Sequence, residues 1–252
     1  EIEFEHASTS SNYDGKGGSI SVEFLYLDLM LHQLANVRAG LLLVPMGFMN
    51  ELHEPPLYHG NLRPEVERQI IPSTWRELGL MVYGGFKGFS YKAWAINGLR
   101  GESFSPSGWR GGRQKGGRAL TEDWGGGLRL DYSWKNIISF GASVYYGEAD
   151  QQRILLNDEK QTARTLLVEG HVQFRWKGIE LRALGTYGHL SNARNLTLAL
   201  FPDSGDPTDP ETSLLASSVY GYYVEAAYDF WRLFKSKRNM YLAPFIRFEN
   251  YN

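Results

Sequence analysis

The sequence predicts an all-β protein, an antiparallel β-barrel threaded through a membrane. Segments of roughly 11–15 residues alternate apolar and polar side chains at period two, and tilted strands of about 9–11 residues suffice to cross a hydrocarbon layer. The connections between them are short and long by turns. Short ones fall at Lys87-Gly88, Lys135-Asn136 and Lys177-Gly178, with slightly longer ones near 33–36 and 234–239; long ones cover 9–17, 50–73, 100–119, 148–161 and 190–216. Tight turns at one end and long loops at the other are what a membrane barrel produces. Aromatic residues also sit at segment ends: Trp134, Trp176, Trp231 and Phe234 near short turns, Tyr145, Tyr146, Tyr187 and His189 near long loops. Two interfacial girdles have this form, and a large soluble antiparallel barrel or sandwich with polar-out alternation is the plainer alternative.

The clearest strand is 120–134. Leu120, Trp124, Leu128, Leu130, Tyr132 and Trp134 share one face, with Glu122 and Gly126 as exceptions, and Thr121, Asp123, Arg129, Asp131 and Ser133 share the other. Across the next turn, Ile138, Phe140, Ala142, Val144 and Tyr146 oppose Ser139, Gly141 and Ser143. In 162–176, Leu166, Val168, Val172, Phe174 and Trp176 oppose Glu169, His171, Gln173 and Arg175; in 179–189, Ile179, Leu181, Ala183 and Tyr187 oppose Glu180, Arg182 and Thr186. The alternation recurs in 219–230, where Glu225 is on the wet face, and less cleanly in 241–251, which carries Arg247 and Glu249. Earlier strands are expected at 2–7, 19–31, 37–49, 74–86 and 89–99, with a bulge plausible at 25–31 where alternation blurs.

Composition narrows the classes. The chain has 252 residues, a formal net charge of −2 and no cysteine, so disulfides, thiolate metal sites and cysteine nucleophiles are excluded. No apolar run is long enough for a transmembrane helix, and the longest, near 39–48, is interrupted by Pro45 and Gly47. No glycine-rich phosphate loop follows a strand and opens a helix, and basic residues are not gathered with aromatics, so nucleotides and nucleic acid are not indicated. The whole of 1–252 reads as one barrel domain with about eleven strands, an odd number, whereas single-chain bacterial barrels have even ones. An open edge in lipid leaves backbone groups unpaired, so further strands are expected beyond one or both ends.

The stretch 37–79 carries R-A-G-L-L-L-V-P-M-G (Arg38 to Gly47), N-E-L-H-E-P-P (Asn50 to Pro56), Arg63-Pro64 and I-I-P-S-T-W-R-E-L-G (Ile70 to Gly79). This resembles a group of Gram-negative outer-membrane porins related to the phosphate-selective type, with looser likeness at 91–99, 221–229 and 244–252. The resemblance implies a barrel of about 16–18 strands, often trimeric, that passes small hydrophilic solutes or ions. It implies contact with outer-membrane lipid and lipopolysaccharide, no cofactor and no metal. It does not specify the solute.

Candidate functional residues fall in two groups. The 50–73 loop bears Glu51, His53, Glu54, His59, Arg63, Glu65 and Glu67, with Pro55, Pro56, Pro64 and Pro72 to stiffen it. It is a candidate constriction or rim loop, with a solvent-side packing loop as the plainer alternative. Pro64 would open a short helix over 64–69, and Arg63 would pair with Glu65 or Glu67. His53 and His59 with nearby carboxylates offer metal donors, but their spacing fits no zinc pattern. The second group lines the wet face: Arg38, Arg129, Asp131, Glu169, Arg175, Glu180, Arg182, Glu225, Arg247 and Glu249. Mixed charges there describe a water-filled pore, or, with fewer strands, an interior packed shut.

Other readings carry less of the chain. The basic loop with Arg100, Arg110, Arg113, Lys115 and Arg118 could attract anions or lipopolysaccharide phosphates, and the acidic one with Asp203, Asp206, Asp209 and Glu211 could hold divalent cations. A non-conducting scaffold, adhesin or sleeve is the main functional alternative. His189-Leu190-Ser191-Asn192 resembles the His-x-Ser-Asn-Gly signature of outer-membrane phospholipases, but Ala193 replaces the glycine. The expectation from the sequence is therefore a porin, not an enzyme.

Overall fold

The computed structural model describes residues 2–5, 19–117, 119–201, 215–234 and 240–252. Strands β1 (Ile2–Glu5) and β2 (Ser19–Val22) form a separate two-stranded hairpin. There follow β3 (Leu25–His32), β4 (Ala35–Leu43), β5 (Arg76–Phe86), β6 (Phe89–Asn97), β7 (Trp124–Trp134) and β8 (Ile138–Glu148). A small hairpin of β9 (Leu155–Leu156) and β10 (Glu159–Lys160) lies within one long connection. Then come β11 (Arg164–Trp176), β12 (Ile179–Leu190), β13 (Ser218–Tyr228) and β14 (Phe245–Tyr251). All but the two hairpins join a ten-stranded sheet, in which each strand pairs antiparallel with the strands before and after it in the meander. Among the described residues the sheet does not close: β3 and β14 are its edges.

The short turns explain the meander. Lys87-Gly88 and Lys177-Gly178 have positive φ at both positions (50° and 89°; 48° and 89°), the left-handed pair whose twist matches that of the flanking strands. The β7–β8 turn has three residues, with Lys135 and Asn136 both left-handed and Ile137 N–H closing on Trp134 O at 2.9 Å. Long connections emerge at the other end, as the alternation of loop lengths predicts.

Several boundaries differ from expectation. The expected 19–31 strand is two, because β2 and β3 belong to different sheets and Glu23 between them turns inward to bind Arg76 at 2.7 Å. The expected bulge is present, as a register shift between Leu29 and His32. β4 stops at Leu43, although Val44 N–H still reaches Trp75 O at 3.0 Å. β7 starts at Trp124, since the Asp123 carboxylate is used to hold Gln151 N–H at 2.5 Å. β14 starts at Phe245, so the last connection runs over 229–244 and is not a short turn. Among the described residues two α-helices lie in long connections: α1 (Glu65–Gln69) and α2 (Ala193–Leu200). Pro64 caps α1 instead of opening it. The sequence reading did not foresee α2, whose Ala193, Leu196 and Thr197 face inward at i, i+3 and i+4. The 9–17 loop, Arg118 and the acidic residues Asp203, Asp206, Asp209 and Glu211 lie outside the described residues.

The sheet's two faces are partitioned against the habit of a protein in water. Outward positions are apolar and exposed, Leu27 to 76% and Phe248 to 61%, whereas Glu169 and Glu225 on the opposite face are 4% and 2% exposed. Apolar area of this extent needs a cover. Toward the long-loop end the charged face itself becomes apolar. There Leu42, Met81, Trp94, Ile96, Tyr145 and Leu167 from the strands meet Met46, Val66, Ile70 and Trp75 of the 44–75 connection. The core of the molecule is this layer, formed by connections folding back onto the inner face.

Candidate functional site

The 44–75 connection is tied at its base by one side chain. Fully buried Asn50 donates Nδ2 to Val44 O (2.6 Å) and Trp75 O (2.9 Å), and its Oδ1 accepts from Trp75 N–H (2.7 Å). Three buried backbone groups are thereby satisfied by one amide, which only Asn and Gln can supply. A second clamp is Glu67 on α1. Its Oε2 accepts from Phe48 N–H (2.8 Å) and Met49 N–H (2.7 Å), and its Oε1 accepts from the Tyr223 hydroxyl (2.7 Å). Gly47, at φ 66°, makes room: a Cβ there would collide with the Glu67 carboxyl. Burial pushes the Glu67 carboxyl above its ordinary value, against the pull of these donors.

From these clamps the loop crosses the charged face of the sheet. Lys92 Nζ binds Glu51 Oε2 at 2.5 Å. Arg129 donates to Gly47 O at 2.6 Å. Phe48 sets its ring edge-on to His171 (centroids 4.7 Å apart) and beneath the Arg182 guanidinium (5.1 Å). His59 bonds Glu225 through Nδ1 and the Tyr241 hydroxyl through Nε2, both at 2.9 Å, and stacks on Phe245. Arg247 donates to Leu62 O (3.1 Å), and Glu249 accepts from Val66 N–H (3.2 Å). With Trp75 edge-on to Tyr145 of β8 (centroids 4.7 Å apart), the connection thus touches β6, β7, β8, β11, β12, β13 and β14.

Beneath it the sheet's charges pair across strands. The register puts Lys92, Arg129, Ser143 and Glu169 in one row, and Gln173, Arg182, Glu225 and Arg247 in another. Arg129 bonds Asp131 (2.8 Å); His171 bridges Asp131 (3.0 Å) and Glu169 (2.9 Å); Ser143 donates to Glu169 (2.6 Å). Arg247 reaches Glu225 (3.1 Å) and Glu249 (3.0 Å), with Arg182 at 4.0 Å from Glu225. Nearer the short turns, Arg175 approaches Glu180 (3.5 Å), and Tyr241 donates to Glu180 (2.9 Å). At the far side Arg38 pairs with Asp28 (2.6 Å), which also accepts from Tyr83. All ten expected wet-face residues are on this one face, and each has an opposite partner there.

The loop candidates divide. Glu51, His59 and Glu67 bind the sheet directly. His53 sits instead at the loop base, 3.0 Å from Asn50 O and 3.5 Å from Glu23, so it and His59 serve separate partners. Glu54 is exposed. The pairing expected of Arg63 is not made: Glu65 takes Arg68 one helical turn on, at 2.7 Å, and that bond holds the Glu65 carboxyl below its usual value. Two residues of the basic loop have a packing role, while Lys115 is exposed. Arg110 and Arg113 donate to Ser73 O (2.9 and 2.8 Å), and Arg113 also to Thr74 Oγ1 (2.8 Å), so they fasten the end of the 44–75 connection rather than reach into solvent. Burial, with repulsion from Arg110 and Arg76, lowers Arg113 to about 10, still a cation at neutral pH. Ser191 Oγ accepts from Arg164 N–H (2.9 Å), and among the described residues no bond joins it to His189.

Asn50, Lys92, His171, Tyr223 and Tyr241 were not singled out as site residues beforehand. Wet-face parity marks His171, and Tyr223 shares the parity of Glu225. Lys92, Asn50 and Tyr241 act through long-range contacts that leave no local pattern.

No family model matches the chain. It is 33% identical over 256 residues to an uncharacterized protein of Aquifex aeolicus (strain VF5), an alignment that takes in 100% of this chain and 56% of the relative. The chain therefore spans little more than half the length of that relative.

Proposed function

We propose that the chain is the larger part of an outer-membrane β-barrel of a Gram-negative bacterium, a porin passing small hydrophilic solutes or ions by passive diffusion. One observation carries the reading: a long sheet whose apolar face is exposed and whose charged face is crossed by a pinned loop. Lipid covers the first face in this reading, and the second faces a water-filled lumen that the 44–75 connection narrows. The unpaired edges of β3 and β14 are then joined by further strands, since open edges are excluded from hydrocarbon. At the about 16–18 strands the motif resemblance implies, side chains cannot fill the lumen; Arg38, Arg129, Asp131, Arg175, Glu180, Arg247 and Glu249 then line it, while Glu169, Arg182 and Glu225 on the same face are buried. A trimer is the assembly the same resemblance implies.

A second reading is favoured by the apolar layer at the long-loop end. If connections of the remaining strands extend that layer, the lumen is plugged and the barrel is a scaffold or sleeve. Single-channel recording of the full-length protein in a planar bilayer under a salt gradient separates the two. Discrete open steps support the porin, and the reversal potential reports which lumen charge dominates. Silence from protein shown to be folded moves the assignment to the plugged barrel.

A further inference from the structure

Three short connections repeat one dipeptide. Phe86-Lys87, Trp134-Lys135 and Trp176-Lys177 each end a strand with an exposed ring and open the turn with lysine; Phe234-Lys235 repeats the pair in the sequence of the last connection. The lysines stand at φ 50°, 50° and 48°. Turns of this hand are ordinarily filled by Asn or Gly, which enter the left-handed region at less cost than lysine does. Local turn chemistry therefore argues against lysine at all three places. Among the described residues none of the three makes an ion pair. Each ammonium lies over the preceding ring instead, 5.0, 4.9 and 4.6 Å from its centre.

All three pairs are at the short-turn end, with their rings on the outer apolar face, 53%, 47% and 47% exposed. Beside the first of them that face holds a groove of about 490 Å³, walled by Leu34, Phe86, Phe89, Leu130, Tyr132 and Phe140. An apolar groove with the Lys87 ammonium over one of its wall rings, Phe86, on a belt that carries two more such lysines, selects its occupant by chemistry. A second copy of the chain would bring lysine against lysine. A lipid of zero net charge would leave the cations uncompensated.

We propose that this belt binds a phospholipid with a net-anionic headgroup from the leaflet at the short-turn end. The lysines take the headgroup charge, the rings lie at the interface, and the groove takes an acyl chain. The proposal rests on the barrel reading.

The test uses full-length protein reconstituted in vesicles, with tryptophan quenching by dibrominated phosphatidylglycerol compared with dibrominated phosphatidylcholine. The variant is Lys87→Asn with Lys135→Asn and Lys177→Asn. Asn suits the left-handed turn, so the fold, followed by circular dichroism, is retained. Wild type is expected to prefer the anionic lipid by at least about fivefold, the effect of one basic residue at a charged lipid surface, and the variant to lose that preference while inserting equally well in phosphatidylcholine. Equal quenching in wild type, or an unchanged preference in the variant, overturns the proposal and leaves the barrel standing. Failure of folded wild type to insert in either vesicle overturns the barrel and the proposal together.

Discussion

The Tyr223 hydroxyl donates to the Glu67 carboxylate at 2.7 Å, and this bond joins a loop helix to a sheet strand 156 residues away. The other carboxylate oxygen holds Phe48 and Met49 N–H. One buried carboxylate thus fixes both limbs of the 44–75 connection against β13. Tyr223→Phe removes a single donor and keeps the ring. Its expected cost is about 1–3 kcal/mol, the range for leaving a buried polar group short of a partner. Limited proteolysis of the folded protein should show faster cleavage within 44–75 in the variant. An unchanged cleavage rate would mean that the backbone donors alone hold Glu67.

The same carboxyl makes loop docking depend on pH. Burial raises the Glu67 pKa in the folded protein above its ordinary 4.5. The folded state then binds the proton more tightly than the unfolded one. The stabilisation is full below the unfolded value and is lost as pH rises through the folded value. Hydrogen exchange of the Phe48 and Met49 amides should therefore slow on acidification from neutral pH toward 5, beyond the chemical pH effect. In Glu67→Gln this additional slowing should disappear. Persistence of the full effect in the Gln variant would assign it to another group.

Asn50 offers a sharper stereochemical test. Asn50→Ala orphans the buried Trp75 N–H, at about 1–3 kcal/mol, and takes one of two donors from each of the Val44 and Trp75 carbonyls, which keep Met46 N–H and Val44 N–H. Asn50→Asp keeps the size but replaces the donor with a carboxylate oxygen set against two carbonyls. The Asp variant should be the less stable of the two in thermal unfolding. A milder effect of Asp would show that the two Nδ2 bonds contribute little.

Much of the sheet was legible in the sequence because period-two alternation is a local signal. It located β7, β8, β11, β12 and β13 and assigned all ten charged residues to one face. It failed where side chains serve loops: β14 starts late because 240–244 is not in the sheet, and β3 separates from β2 because Glu23 turns in to Arg76. The loop was recognisable as unusual from its prolines and charges, but its partners were not. Arg63 was the nearest basic residue in sequence to Glu65, yet Arg68 is one helical turn away and takes the pairing. The contacts Glu51–Lys92, His59–Glu225 and Glu67–Tyr223 span 41, 166 and 156 residues, beyond any local pattern.

The Glu51–Lys92 pair connects loop position to ion preference. The two side chains meet at 2.5 Å on the charged face, each less than a third exposed. In the pore reading, Lys92→Met leaves the Glu51 carboxylate uncompensated at the narrowing. The reversal potential in a salt gradient should shift toward cation preference, and the loop, freed of one tether, should add noise to the open level. Glu51→Gln should shift the potential the opposite way, by leaving the ammonium alone. The double variant Lys92→Met with Glu51→Gln should return the potential close to that of wild type, because the local net charge is restored, while the added noise stays, because the tether does not return. This pattern separates charge from position. If all three variants keep the wild-type reversal potential, the permeating ions do not pass the 44–75 connection, and its place as the constriction is lost.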